Sequence, residues 1–173
     1  TIKLDREVNK GDNINLNMKY HGKLGIIQPF GDNRLTEEWI ELGLYFPWFP
    51  ISIEQLDEKN ITYEIKVEVD PEYKIFGLGK TTKEDGFYRI IKEEPGLDII
   101  IIGAKDLHQK VKNFNTFDFK IIYTKEDEDS AERMFETGSW ILKNYTEWFG
   151  PLDKNHVSVV FGKGGSYARP GLI

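Results

Sequence analysis

The sequence predicts a mainly β chain, with an antiparallel sheet or sandwich through about residue 125 and then one helix and one further strand. Three observations support this prediction. Apolar and polar residues alternate with a period of two in several short runs, which is typical of half-buried strands. Turn-forming residues separate these runs at short intervals. After residue 125 the apolar period lengthens to that of an amphipathic helix.

The strand predictions rest on these alternating runs. The alternation is clearest over residues 61–69 and is also present over residues 13–20. Residues 99–102 are four isoleucines, so this run is apolar on both sides and is typical of a central strand covered on both faces. The other predicted strands are residues 2–8, 39–45, 73–78, 86–93, 97–103, 107–114, 116–124 and 157–161.

The predicted helix begins near residue 129 and ends at Gly150. Asp129 and Glu132 have the spacing of a capping box, which predicts Asp129 as the N-cap. The acidic run at residues 126–129 complements the positive end of the helix dipole. This run lacks the alternating ligand positions and the turn glycine of a calcium loop. We therefore interpret it as the start of a helix.

Composition excludes several classes of function. The chain has 23 Lys and Arg against 29 Asp and Glu, a formal net charge of −6, which argues against a general nucleic-acid binder. It has no cysteine, so disulfides and thiolate chemistry are excluded. No apolar run reaches the roughly 18 residues of a transmembrane helix. The three histidines, His21, His108 and His156, are too far apart in sequence for a helical metal pair, and we interpret them as structural or surface residues.

Two local features, residues 45–50 and residues 162–166, have compositions that could suggest a ligand site. Residues 45–50 contain four aromatic residues and two prolines. They are either a rigid corner packed under the sheet or an aromatic platform for a ligand such as a sugar or a peptide, and a sugar platform would need an exposed Trp48. Residues 162–166 are rich in glycine, but extended sequence follows them instead of a helix, so they do not form a phosphate loop.

Five segments, taken in order, resemble the M1 family of metallopeptidases. Residues 10–22 resemble the opening strand pair of that family's N-terminal domain, and residues 48–50 resemble its W-Y-P corner. Residues 61–80 resemble its next hairpin. Residues 143–150 are similar to the end of the helix that opens the thermolysin-like catalytic domain. Residues 164–173 resemble the G-G/A-M-E-N-x-G-L-I segment.

The resemblance implies a saddle-like β domain at residues 1–125 and the truncated beginning of a thermolysin-like α/β catalytic domain at residues 126–173. A chain that starts at Thr1 and ends at Ile173 without a polar tail is expected to be a piece of a longer protein. The zinc-binding H-E-x-x-H helix of the family would then lie beyond this chain. The chain itself is expected to hold no cofactor and no catalytic residue. Zinc and the remaining catalytic domain would come from the same polypeptide.

The last segment departs from the family pattern in one important position. Ala168 stands where the family has the Glu that binds the free amino terminus of a peptide, and Arg169 next to it would repel an ammonium group. Backbone pairing needs no particular side chain, so a peptide-binding edge is still implied. Its residues are Gly164, Gly165, Ser166, Tyr167, Ala168 and Arg169. The alternative is a non-catalytic interaction or scaffold domain from an inactive M1-like protein.

Overall fold

The computed structural model describes residues 33–43, 48–49, 61–96, 99–152 and 156–163, together with residues 7, 9, 11, 15, 17–22 and 168. Of the described residues, 45% lie in strands and 20% in helix, which confirms the mainly β prediction. The elements in chain order are β1 (Arg34–Leu35), β2 (Trp39–Leu42), β3 (Ile61–Val67), β4 (Lys74–Gly77), β5 (Lys80–Glu84), β6 (Phe87–Gly96), β7 (Ile101–Ala104), β8 (Leu107–Asn113), β9 (Asp118–Thr124), α1 (Glu128–Phe149) and β10 (His156–Val160).

The strands form three sheets. The middle sheet has the order β1-β2-β7-β4, the outer sheet has the order β3-β6-β5, and the helix-backed sheet has the order β10-β9-β8. Within the described residues every strand pair is antiparallel except β9 and β10, which are parallel. Parallel neighbours need a crossover connection, and α1 provides it. The predicted domain division at residue 125 falls within this β9-α1-β10 unit, and the division itself stays a prediction.

The middle sheet is buried on both of its faces. Because side chains alternate along a strand, Trp39 and Ile40 on β2 point to opposite faces. Trp39 packs with Ile122 of the helix-backed sheet. Ile40 packs with Ile90 of the outer sheet. The order of layers is therefore outer sheet, middle sheet, helix-backed sheet and α1.

Helix α1 covers the far face of the helix-backed sheet. Ala131 is fully buried there, and the ring of Phe135 stacks on the ring of Phe119 with their centroids 5.8 Å apart. Several large aromatic side chains of the helix are exposed, among them Trp140 at 64%, Trp148 at 66% and Phe149 at 76%. No helix in the described part of the chain combines the length and apolar character needed to cross a membrane.

Most predicted strands are confirmed with small shifts of their ends. Strand β5 was not predicted, because its sequence Lys-Thr-Thr-Lys-Glu has no apolar alternation and its position depends on pairing with β6. The predicted strand at residues 13–20 is wrong where the structure describes it. Residues 17–20 lie outside the described strands, and all four are exposed. Their alternating apolar side chains therefore bury no face. Residues 2–8 lie outside the described residues apart from Glu7.

The predicted N-cap of the helix is also wrong. A 3-10 turn at Lys125–Asp127 precedes the helix, so α1 begins at Glu128 with Asp127 as its N-cap. Asp129 lies in the first turn, where its charge still complements the helix dipole. The Asp127 carboxylate does not cap the helix, because it accepts a hydrogen bond from the Thr124 hydroxyl at 2.9 Å.

Close contact between the middle and outer sheets at Gly77 is directly testable. A Cβ on Gly77 would lie 2.6 Å from Cδ1 and from Cγ2 of Ile90, a fully buried side chain. We expect Gly77→Ala to lower the free energy of unfolding by about 1–3 kcal/mol through overpacking, as measured by urea denaturation. Gly22→Ala is the control, because no atom of the described residues lies within 4 Å of a Cβ there. A Gly77→Ala variant as stable as the control would contradict this contact.

Candidate functional site

The chain leaves the helix-backed sheet at a defined point, directly before the predicted peptide-binding segment. The Phe161 amide donates a hydrogen bond to the Ile122 carbonyl at 2.9 Å, which continues the pairing with β9. The Gly162 amide then turns back to the Val160 carbonyl at 3.1 Å. Gly162 and Lys163 are therefore the first residues beyond the sheet, and we call these two residues the root of the glycine-rich segment.

The predicted edge itself lies almost entirely beyond what the structure describes. Ala168 is described, and its side chain is exposed. Ala168 therefore presents a methyl group to solvent. The remaining predicted edge residues lie outside the described residues, and their role stays a prediction: Gly164, Gly165, Ser166, Tyr167 and Arg169.

A buried carboxylate from the middle sheet lies against the root. Glu41 is only 3% exposed, and its Oε2 accepts a hydrogen bond from the Trp39 indole N–H at 2.7 Å. A Cβ on Gly162 would lie 3.3 Å from Oε1 and 3.4 Å from Oε2 of Glu41. A side chain at this position would require the carboxylate to shift by a few tenths of an ångström. Glycine at position 162 therefore lets the backbone lie close to Glu41 without such a shift.

Sequence reasoning missed Glu41, although the sequence contains a signal for it. The alternation of β2 places Glu41 on the same face as Trp39, and that face packs toward the helix-backed sheet. A carboxylate on an apolar strand face is uncommon, because burying a charge is costly unless hydrogen bonds or an opposite charge compensate. The pattern Trp-Ile-Glu-Leu at residues 39–42 thus indicates a buried carboxylate at Glu41.

An ion pair holds the second residue of the root. The Lys163 ammonium lies 2.7 Å from Oε2 of Glu126 and 3.3 Å from Oδ2 of Asp127, both in the 3-10 turn before α1. Thr124 donates a hydrogen bond to the same Asp127 oxygen, which fixes that carboxylate. The hydrogen bond to Glu126 raises the pKa of Lys163, and Asp127 adds to the effect, while partial burial opposes it. The acidic run interpreted as a helix start therefore also binds Lys163.

The histidines do not form a metal centre in the described structure. Nε2 of His108 lies 2.6 Å from Oδ1 of Asp106, and this contact is the main cause of the lowered pKa of Asp106. Burial, followed by the nearby charge of Lys120, lowers the pKa of His156. Within the described residues, no three histidine or carboxylate side chains lie close enough together to hold a metal ion.

Trp48 decides between the two interpretations of the aromatic segment at residues 45–50. Its side chain is half-buried against the core between the middle and outer sheets, and its indole N–H donates to the Ile99 carbonyl at 3.2 Å. The ring of Phe49 meets it edge to face, with centroids 5.4 Å apart. This arrangement favours the packed corner over an exposed platform for a sugar. The other four residues of the segment lie outside the described residues.

Comparison with known proteins yields a partial likeness of fold. No family model matches the sequence, and no curated protein matches it. Among solved structures, the chain is similar to an M1 zinc metallopeptidase from Deinococcus radiodurans, a mutant bound to the substrate Tyr-Ser-Ala. The identity is 19% and the TM-score is 0.40, and the alignment covers 64% of this chain and 29% of that enzyme. A likeness of this extent concerns the fold, and no residue role passes from that enzyme to this chain.

The hydrogen bond of the buried Glu41 gives a first test of the site. We expect Glu41→Leu to lower the free energy of unfolding by about 1–3 kcal/mol, because the Trp39 indole N–H loses its acceptor. Glu41→Gln is the matched variant, since its amide oxygen still accepts that bond, and a smaller loss is expected. Urea denaturation measures both. Equal losses in the two variants would contradict the importance of this hydrogen bond.

The raised pKa of Lys163 predicts how its ion pair depends on pH. Because the folded pKa lies above the unfolded value of about 10.4, the stabilisation is complete below that value and is lost as the pH rises through the folded pKa. We expect Lys163→Met to be less stable than the wild type by about 1 kcal/mol or less near pH 8. This difference should shrink as the pH rises through the folded pKa of Lys163, as measured by denaturation at increasing pH. A difference that stays constant with pH would show that Lys163 contributes packing alone.

Proposed function

We propose that this chain is the N-terminal part of an M1-like zinc metallopeptidase and that residues 164–169 form an edge that holds a peptide substrate. The observation that carries the proposal is the order of five segments, between residues 10 and 173, that resemble this family. The geometry of the root adds support. Its two residues, Gly162 and Lys163, directly precede the proposed edge and lie against carboxylates from two different parts of the fold.

The proposed edge would hold a peptide through main-chain hydrogen bonds. Strand addition of this kind takes its affinity from backbone N–H and C=O groups, and side-chain pockets add selectivity. Ala168 provides no charge for the ammonium group of a peptide's first residue. The proposed enzyme would therefore differ from aminopeptidases of the family in how it selects the position of cleavage. Zinc and its ligands would belong to the rest of the polypeptide.

Exposed aromatic residues on α1 support the idea that another part of the polypeptide covers this chain. Trp140 is 64% exposed and Trp148 is 66% exposed, and Tyr145 and Phe149 are also exposed on the same helix. A large apolar patch on a folded surface is typical of an interaction site. In the proposed enzyme the partner is the remaining catalytic domain.

One observation favours the alternative, a non-catalytic interaction or scaffold domain. A family member that no longer binds peptide termini has no need of the family's Glu, and Ala168 stands in that position. In this alternative the exposed aromatic residues of α1 would bind a partner protein.

The coding sequence downstream of Ile173 distinguishes the two proposals. We expect it to encode an H-E-x-x-H helix and a further Glu ligand, and we expect the whole protein to cleave short peptides. A chelator should abolish that cleavage, and the 173-residue chain assayed alone should cleave nothing. The matched control is the whole protein with the first His of that motif replaced by Ala.

Each outcome of this experiment decides between the proposals. A downstream sequence without the zinc motif would overturn the peptidase proposal and leave the scaffold domain. Chelator-sensitive cleavage that follows the purified short chain would show that catalytic residues lie within it, against our assignment.

A further inference from the structure

We infer that protonation of His156 loosens strand β10 from β9, so that the helix-backed sheet has an acid-sensitive strand. His156 is the first residue of β10, and β9 is the strand with which β10 forms its parallel ladder. This device goes beyond the proposed function, and neither depends on the other.

The face of β10 that points toward the middle sheet is mostly polar. Because side chains alternate along a strand, His156, Ser158 and Val160 share this face, and Val160 packs against the core between the middle and helix-backed sheets. Val157 and Val159 point the other way, into the core beneath α1. Of the three residues on the inward face, only Val160 contributes apolar burial, so this face holds β10 weakly.

Ser158 makes the inward face weaker still. Its side chain is fully buried, and its Oγ has no hydrogen-bond partner. A buried hydroxyl that gives up water without gaining a protein partner opposes burial of its strand. The hydroxyl regains water whenever β10 separates from β9. Ser158 therefore brings the open form of β10 closer in free energy to the paired form.

Charged residues of two strands act on His156. Asp118 of β9 is its partner in the parallel ladder, and Lys120 lies two residues further along the same face of β9. Lys92 and Glu94 belong to β6. Burial and then Lys120 lower the pKa of His156, and Lys92 adds to this effect, while Glu94 and Asp118 oppose it. The surroundings therefore favour the neutral imidazole.

The carboxylate opposite His156 is already engaged by other groups. Oδ1 of Asp118 accepts a hydrogen bond from Nδ2 of Asn113 at 2.9 Å, and its Oδ2 lies 3.8 Å from the Lys120 ammonium. Asp118 therefore has limited capacity to stabilise a charged imidazole. The Lys120 side chain is only 32% exposed, so solvent screens its repulsion of a second cation incompletely.

The lowered pKa of His156 sets the direction of the pH dependence. When β10 is open, His156 lies in water and has its ordinary pKa of about 6.5. Between that value and the lower folded pKa, the open form binds more protons than the paired form. Pairing of β10 is therefore strongest above about pH 6.5 and weakens as the pH falls through this window. Below the folded pKa the loss is complete and stays constant.

Amide hydrogen exchange of residues 157–160 tests the inference. Rates are measured at about pH 7.5 and about pH 5.0, and each is divided by the intrinsic rate at that pH. The amides of β3 in the outer sheet are the internal reference. We expect the corrected exchange of β10 to accelerate by roughly three- to thirtyfold at the lower pH, while β3 changes less. A factor of about thirty is the limit that an open-state pKa of about 6.5 allows at pH 5.0.

Three variants identify the group that responds. His156→Gln cannot take up the proton, so its β10 exchange should not accelerate. His108→Gln is the matched control and should respond like the wild type, because His108 lies on the other face of the helix-backed sheet, where it stacks on Tyr123. Ser158→Ala should keep the pH response without faster exchange at pH 7.5, since it removes only the unpartnered hydroxyl.

NMR titration of the His156 imidazole in the unmodified chain gives an independent measurement, with a midpoint below about 6.5 expected. A midpoint at or above that value would overturn the inference. So would β10 exchange that does not change with pH, or an acceleration that His156→Gln shares. Equal acceleration in β3 would show that acid destabilises the whole fold, and this result would also overturn the selective loosening of β10.

Discussion

Burial of the middle sheet on both faces is the constraint on which the rest of the structure depends. A sheet covered on both sides must be apolar at consecutive positions, and the four isoleucines at residues 99–102 meet this requirement with at most 8% exposure. One face of the sheet then requires the outer sheet as a cover, and the other requires the helix-backed sheet. The helix-backed sheet exposes a second apolar face, which α1 covers. The order of the four layers follows from this one requirement.

The same constraint explains why the root lies where it does. Glu41 is a polar exception on the middle sheet, and it lies on the face that meets the helix-backed sheet. Gly162 reaches this carboxylate because β10 lies beside β9 at the edge of the helix-backed sheet and ends there. The turn before α1 follows β9 directly, so its carboxylates are also within reach of Lys163. The root and the carboxylates around it therefore lie where the middle sheet, the helix-backed sheet and the turn before α1 meet.

Sequence reasoning predicted the elements whose signal is local and missed those that depend on a partner. The alternation at β3 and the helical period of α1 are local patterns, and both are confirmed within a few residues. Strand β5 forms only because β6 lies beside it, and residues 17–20 alternate without burying a face. The contacts of Glu41 with Gly162 and of Lys163 with Glu126 join residues 121 and 37 positions apart in the sequence, and no local pattern predicts such pairs. The acidic run was correctly assigned to the helix start, but its ion pair depends on the tertiary fold.

The most direct measurement of the account is a nuclear Overhauser experiment on the isotopically labelled chain. The central claim is that the root lies between the middle sheet and the start of α1. It predicts cross-peaks from the Gly162 α protons to the side chain of Glu41, and from the Lys163 ε protons to the β protons of Asp127. Assigned signals for these residues without either cross-peak would contradict the claim.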